Sequence, residues 1–309
     1  MKRKILIYGA GVIGSTYGGL MAKLGHNVTL QARNNRLSEL LEKGLLLNRI
    51  NQVKPEKISV EVIDDSQSLD SYDYVFVTMR NDQIKSALSS LSKINTSCFV
   101  FMVNNPLGYK DWIKELGEER VLPAFPGSGG KIENGIVYYE IVSKLIQPTT
   151  LGELNGKKTE RLEDLKNILR NSGFNVSISK KMDAWQKSHV AMVAPLGTAI
   201  YYDGGNNYSV SRNKEAISQM NKALKENFNF LKKSGIGIEP LKLNVFLFLP
   251  LCILNIIMRI VFNTKWAETV ISNHALNAKQ EMELISNEFL ELAEEKGFKL
   301  DEFRRLLKK

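Results

Sequence analysis

Residues 4–32 read KILIYGAGVIGSTYGGLMAKLGHNVTLQA, and this stretch decides the fold. Lys4 to Tyr8 is a short apolar run of strand character, and Gly9, Gly11 and Gly14 follow it in G-x-G-x-x-G spacing. The apolar spacing then becomes helical, stops at Gly25 and gives way to a second strand over Val28–Ala32. A glycine triplet alone says little. Placed directly after a strand and opening a helix, it predicts a dinucleotide cradle formed by Gly9, Ala10, Gly11, Val12, Ile13 and Gly14. Gly9 permits the tight turn, Gly11 admits a pyrophosphate against the backbone, and Gly14 lets helix and strand pack closely. The helix N-terminus adds amide donors and the positive end of its dipole.

The alternation of strand and helix continues outward. YDYVFVTM (72–79) and SCFVFMVNN (97–105) read as buried strands with polar tips, Arg80 and Asn81 after the first and Asn104 and Asn105 in the second. Open α/β sheets bind ligands beyond such carboxyl ends. VLPAFPGSGG (121–130), GIVYYEIV (135–142), QPTTLGEL (147–154) and FNVSIS (174–179) add strands and glycine turns up to Lys180. From Met182 the periodicity is that of long helices, and those over 214–235 and 274–297 each end in glycine with lysine close by. The expected architecture is an N-terminal Rossmann-like doubly wound α/β domain over residues 1–180, holding NADP, followed by an all-α C-terminal domain over 181–309 for substrate and dimerisation.

The choice of nicotinamide cofactor rests on the end of the second strand. There an acid would accept hydrogen bonds from a ribose 2′-hydroxyl, but the residues are Gln31, Ala32, Arg33, Asn34 and Asn35, with no acid before Glu39. Arg33 can pair with a 2′-phosphate, which points to NADPH.

Composition narrows the function classes. The 309 residues carry 42 basic and 33 acidic side chains, a net charge of +9 that suits an anionic ligand. The surplus is scattered without interleaved aromatics, so nucleic acid is not an expected partner. The three histidines and two cysteines show no metal-ligand spacing. Cys98 and Cys252 sit in apolar runs and read as core thiols. The N-terminal run enters the first strand without a leader pattern, so a cytoplasmic protein is expected. Leu243–Met258, LNVFLFLPLCILNIIM, lacks charge between Lys242 and Arg259, yet it is short for a span and broken by Asn244, Pro250 and Asn255. A buried helix or a subunit contact, as in a homodimer, is favoured over membrane association.

The helical half opens on DAWQKSHVAMVAPLGTAIYYD (183–203), where Lys187 heads a long apolar run. A buried ammonium is costly unless it is paired or its proton is used. His189 and His274 are other conceivable proton donors, but His189 stands two residues from Lys187 and so faces another side of the helix.

Taken together, these residues resemble the ketopantoate reductases (2-dehydropantoate 2-reductases) over nearly the whole chain. GAGVIG (9–14) with Arg33 is similar to that family's NADPH site, VNNPLG (103–108) to its asparagine-glycine turn with Asn105 on the asparagine, and QPTTLGEL to its domain-end strand. AWQKSHV (184–190) resembles its tryptophan-x-lysine helix opening, which puts Lys187 on the catalytic lysine. Counting back from EEKGF (294–298), Glu281 falls on the glutamate of the C-terminal helix. The resemblance implies hydride transfer from NADPH to the carbonyl carbon of a 2-oxo acid, with the Lys187 ammonium protonating the oxygen. It implies that Glu281 holds the ammonium or binds a substrate hydroxyl, and that Asn105 orients the nicotinamide or the carbonyl.

The departures bear on substrate. Ala191 and either Ala194 or Pro195 stand where the family has asparagines, Pro106 replaces a glycine, and Arg80, Thr269 and Asn273 replace a lysine, a serine and an aspartate. Arg80 is carried as a cofactor-side candidate and Thr269 and Asn273 as substrate-side ones. Selectivity follows the polar groups a site must satisfy, so a relative reducing a different, more apolar carbonyl is the first alternative. The second is a non-catalytic NADPH-binding protein associated with a membrane through Leu243–Met258.

Overall fold

A computed structural model of the chain describes residues 2–64, 71–202, 204–272, 275–276 and 278–308. The chain divides into two compact units, residues 1–103 with 109–182, and residues 104–108 with 183–309.

In the first unit the elements run β1 Lys4–Tyr8, α1 Val12–Lys23, β2 Asn27–Gln31, α2 Asn34–Lys43, β3 Leu45–Arg49, β4 Glu56–Ile58, β5 Glu61–Ile63, β6 Tyr74–Val77 and α3 Asn81–Leu91. They continue with β7 Phe99–Met102, α4 Lys110–Leu116, β8 Val121–Phe125, β9 Ser128–Glu133, β10 Ile136–Ile141, β11 Thr149–Leu151, α5 Glu160–Asn171 and β12 Val176–Ile178. The main sheet has the order β12-β11-β8-β7-β6-β1-β2-β5, parallel except where β11 meets β8. β1 lies between β2 and β6, with Ile7 opposite Leu30 on one side and Phe76 on the other. The chain therefore winds away from β1 in both directions, and the switch point falls at the carboxyl ends of β1 and β6. Both sheet faces are covered. Ile5 and Ile7 of β1 join a core with Tyr17, Leu30 and Phe76, while Leu6 and Tyr8 join another with Val75, Phe101 and Trp112. That two-sided burial is why YVFV of β6 and FVFM of β7 are apolar at every position.

A second sheet, β4-β3-β10-β9, packs on the outer side of α1. A Cβ at Gly19 would lie 2.6 Å from the Leu47 side chain and 2.9 Å from that of Leu45, so only glycine lets β3 come this close to the helix. The sequence reading found the strands of GIVYYEIV and VLPAFPGSGG but neither β3 nor β4.

In the second unit α6 Met182–Tyr202, entered at Asp183, is followed by α7 Asn207–Arg212, α8 Lys214–Lys233, α9 Val245–Phe248, α10 Leu251–Phe262, α11 Lys265–Ala267, a π-helical turn Glu268–Ser272, α12 Lys279–Glu295 and α13 Asp301–Leu307. Asn213 starts α8 by accepting from the amides of Glu215 and Ala216. Phe230 meets Phe289 edge-on at 5.6 Å in the core. Pro195 lies inside α6 and has no N–H for the carbonyl of Ala191 four residues back. The fully buried Asn227 of α8 donates to that carbonyl at 3.2 Å and satisfies it.

Leu243–Met258 differs from the expected buried helix. It bends at Pro250, and α10 buries one face, Leu254, Met258 and Phe262, while Ile253, Ile256, Ile257 and Ile260 stay 39–66% exposed. No helix among the described residues is long and apolar enough to cross a membrane. Cys252 is exposed rather than a core thiol, since it falls off the Leu254/Met258/Phe262 stripe. Cys98 is buried as expected, and that burial pushes its thiol up to about 12.

Candidate active site

The turn after β1 is built for close approach. Gly9 has φ +112°, and the Thr78 hydroxyl at the end of β6 donates to its carbonyl at 2.7 Å. A Cβ at Gly14 would stand 2.0 Å from that carbonyl oxygen and 2.5 Å from the Thr78 hydroxyl. At Gly11, by contrast, a Cβ would meet nothing within 4 Å. Gly11 is also the N-cap of α1, and no side chain caps this helix end. A dinucleotide pyrophosphate fits such a place, because backbone amides face an open side of the turn.

Arg36 of α2 was missed by the sequence reading. Its Nε donates to the Ala10 carbonyl at 3.1 Å and a terminal nitrogen donates to the Ser15 hydroxyl at 3.2 Å, while Glu39 pairs with it at 3.1 Å. A guanidinium is thus fixed on the glycine turn itself. The available signal was its place one helical turn beyond Arg33 in a segment opening after β2. Arg33 is exposed at the N-cap of α2, two residues past the last residue of β2. Arg80, exposed at the N-cap of α3, pairs with Asp82 at 2.8 Å.

In the second unit, the loop 104–108 that continues from β7 gathers several of the expected residues. Asn105 is 5% exposed, and its amide closes the loop by donating to the Gly108 carbonyl at 2.6 Å and accepting from the Gly108 N–H at 3.2 Å. Gly108 has φ +91°, and a Cβ there would stand 3.5 Å from Asp183 Oδ1 and 3.9 Å from Lys187 Nζ. Lys187 is 7% exposed, and its ammonium donates to Asp183 one turn earlier on α6. The fold thus brings Asn105, Gly108, Asp183 and Lys187 into one cluster.

The sequence reading offered Glu281 two tasks, holding the ammonium or meeting a hydroxyl. The carboxylate on the ammonium is that of Asp183, which the i,i+4 spacing places there. Glu281, in the first turn of α12, accepts instead from the Asn104 amide at 2.8 Å. Asn104 Oδ1 is buried without a hydrogen-bond partner. It is therefore Asn104, read from sequence as a mere strand tip, that links to Glu281 and keeps an unfilled acceptor.

Thr269 is exposed in the π-helical turn, and its hydroxyl donates to the Lys265 carbonyl at 3.1 Å. Asn273 and His274 lie outside the described residues. His189 stacks on Trp185 with ring centroids 5.3 Å apart. Among the described residues no group of three or more His, Cys, Asp or Glu could hold a metal ion.

Residues 5–156 match the family model described as "Ketopantoate reductase PanE/ApbA". A 2-dehydropantoate 2-reductase from Pyrococcus horikoshii is 25% identical over 248 residues, 78% of each chain. Among solved structures, a PanE/ApbA family ketopantoate reductase from Ralstonia eutropha superposes with a TM-score of 0.76 at 17% identity, covering 98% of this chain and 96% of that one. A D-mandelate dehydrogenase solved with NADH and anilino(oxo)acetate superposes with a TM-score of 0.75 at 17% identity, covering 99% and 96%. Residues 5–156 are thus similar to the ketopantoate reductase family of oxidoreductases, and the solved structures share the fold over nearly the whole chain.

Proposed function

We propose that this protein is an NADPH-dependent reductase of a 2-oxo acid, with 2-dehydropantoate as its first candidate substrate and the cytoplasm as its place of work. The observation that carries the reading is the buried ammonium of Lys187, held by one half-exposed carboxylate against the Asn105–Gly108 loop. When bound, the dinucleotide supplies the hydride. The chain's own residues do the rest. The open α1 terminus at Gly9–Gly14 and the guanidinium of Arg36 hold the pyrophosphate, and Arg33 meets the 2′-phosphate, with Arg80 a further cation on the cofactor side. Lys187 gives a proton to the carbonyl oxygen as negative charge develops there, and Asp183 holds the ammonium in place by accepting its hydrogen bond. Asn104, tied to Glu281, turns its unfilled acceptor to a substrate hydroxyl or to the carboxamide of the nicotinamide. Asn105 fixes the loop against which the substrate rests.

A second reading has a specific basis. The fully buried Ala191 and either the fully buried Ala194 or the helix-bound Pro195 stand where the family resemblance places amides, which favours a 2-oxo acid with an apolar side chain. The likeness to a D-mandelate dehydrogenase solved with NADH and anilino(oxo)acetate, an oxo acid that carries an aryl ring, is in keeping with that choice. Oxidation of NADPH and NADH followed at 340 nm against a panel of 2-oxo acids, 2-dehydropantoate and phenylglyoxylate included, tests both. Turnover led by 2-dehydropantoate supports the first, and turnover led by an aryl or branched apolar acid supports the second. Tight cofactor binding without turnover on any member would contradict both and leave a dinucleotide-binding protein.

A further inference from the structure

α10 is apolar on both faces, unlike a helix that only lines a core. Its buried stripe, Leu254, Met258 and Phe262, is apolar, and so is its outer one. Ile253, Ile256, Ile257 and Ile260, at i, i+3, i+4 and i+7, make one solvent-facing row with exposures of 44, 61, 39 and 66%. The corner that precedes α10 in the chain also exposes apolar side chains, Leu241, Val245 and Phe248, by 73, 43 and 74%. Lys225 fixes this corner, donating to the carbonyls of Phe246, Leu247 and Leu249. Phe248 is therefore held outward by hydrogen bonds behind it. A contiguous apolar row of this size signals a partner.

Charge identifies which one. Residues 222–265 contain seven lysines and arginines against two glutamates, and Lys222, Lys232, Lys233, Lys242, Arg259 and Lys265 of these are exposed. Lys232 Nζ lies 5.8 Å from the centre of the Phe248 ring. Lys222, Lys225, Lys233 and Lys299 line a cleft that opens beside Leu251, the first residue of α10, with Glu226 and Glu302. A second copy of this chain, docked face to face about a two-fold axis, would bring the same basic rim against itself. An anionic lipid surface complements the isoleucine row and the rim together.

We propose that the outer face of α10, with Leu241 and Phe248, seats this protein on an anionic membrane surface as a peripheral, non-spanning contact. The row enters the acyl boundary and the lysines lie in the headgroup layer. Cys252 shares the exposed side of α10 and, with Cys98 buried, serves as a native reporter.

The test uses the full chain and vesicles of phosphatidylcholine, alone or with about a third phosphatidylglycerol. Flotation should recover the protein with the mixed vesicles, far less with phosphatidylcholine alone, and less again at high salt. Polar maleimide labelling of Cys252 should slow several-fold on the mixed vesicles. The double variant Ile256→Ser with Ile260→Ser touches exposed positions, and should reduce vesicle recovery by about tenfold while leaving turnover and the thermal transition unchanged. Lys232→Glu with Lys233→Glu should do the same by charge alone. Absence of wild-type binding to the mixed vesicles would overturn the proposal, as would binding that survives both variants. Cys252 protection that tracks protein concentration without lipid, accompanied by a dimer in sedimentation that Ile256→Ser abolishes, would overturn it in favour of a second copy.

Discussion

Arg33 and Arg36 stand one helical turn apart and are assigned different tasks on physical grounds. Arg36 is committed to the backbone of the glycine turn through Ala10 and to the Ser15 hydroxyl, so it serves any dinucleotide alike. Arg33, exposed at the N-cap of α2, is the one proposed to distinguish a phosphorylated ribose from a bare one. Arg33→Ala should raise the dissociation constant for NADPH by about tenfold, the worth of one charge-assisted contact, and leave that for NADH within about twofold. Cofactor titrations followed by fluorescence read this directly, and an unchanged NADPH preference in the variant would remove Arg33 from the assignment. The same scale separates the two asparagines. Sequence favours Asn105, because it falls on the asparagine of the family's asparagine-glycine turn, whereas Asn104 makes a hydrogen bond to Glu281, 177 positions away, that spacing cannot disclose.

Among elements, those built from local signals were legible before any coordinates. β1 occupies Lys4–Tyr8 as read, and β2, β6, β7, α8 and α12 lie within one to five residues of the segments quoted for them, because apolar period and glycine stops act within the segment itself. β3 and β4 escaped because their burial comes from outside, from the Gly19 face of α1 and from β10. The outer face of α10 escaped for the opposite reason: an uncharged run looks buried whichever way it faces. The segment after β11 shows what long-range pairing adds. Arg161 at the start of α5 clasps Glu153 with both arms, at 2.8 and 2.5 Å, and Thr159 donates to the same carboxylate. Burial pushes the Glu153 carboxyl up, but the hydrogen bonds from Arg161 and Thr159 and the Arg161 charge outweigh it and hold the pKa below its ordinary 4.5. A depressed carboxyl contributes stability that is present above the unfolded value and is lost as pH falls through the folded one. Glu153→Gln should therefore cost about 3 kcal/mol at neutral pH by leaving Arg161 without its counter-charge. The gap between variant and wild type in urea denaturation should close as pH drops below 4.5. A gap that stays constant with pH would contradict the role given to the ion pair.

At the scale of the molecule, the two units carry different chemistry in different kinds of signal. The first announces its task through a compact motif, in which strand, glycines and helix follow one another within 29 residues, 4–32. The second announces its own through a single misfit, a lysine opening an apolar helix, and the resemblance of AWQKSHV then supplied a role for it. The partner of that lysine, Asp183, stands one helical turn earlier, at a spacing open to reading; what no spacing could supply was the return of the 104–108 loop to lie against it. The central claim is that the Lys187 ammonium is the proton source for carbonyl reduction. Lys187→Ala, compared with wild type for kcat on the best 2-oxo acid and for NADPH affinity, tests it most directly. The expected result is a loss of about a hundredfold to ten-thousandfold in kcat with NADPH affinity within about twofold; turnover within a few-fold of wild type would contradict the claim.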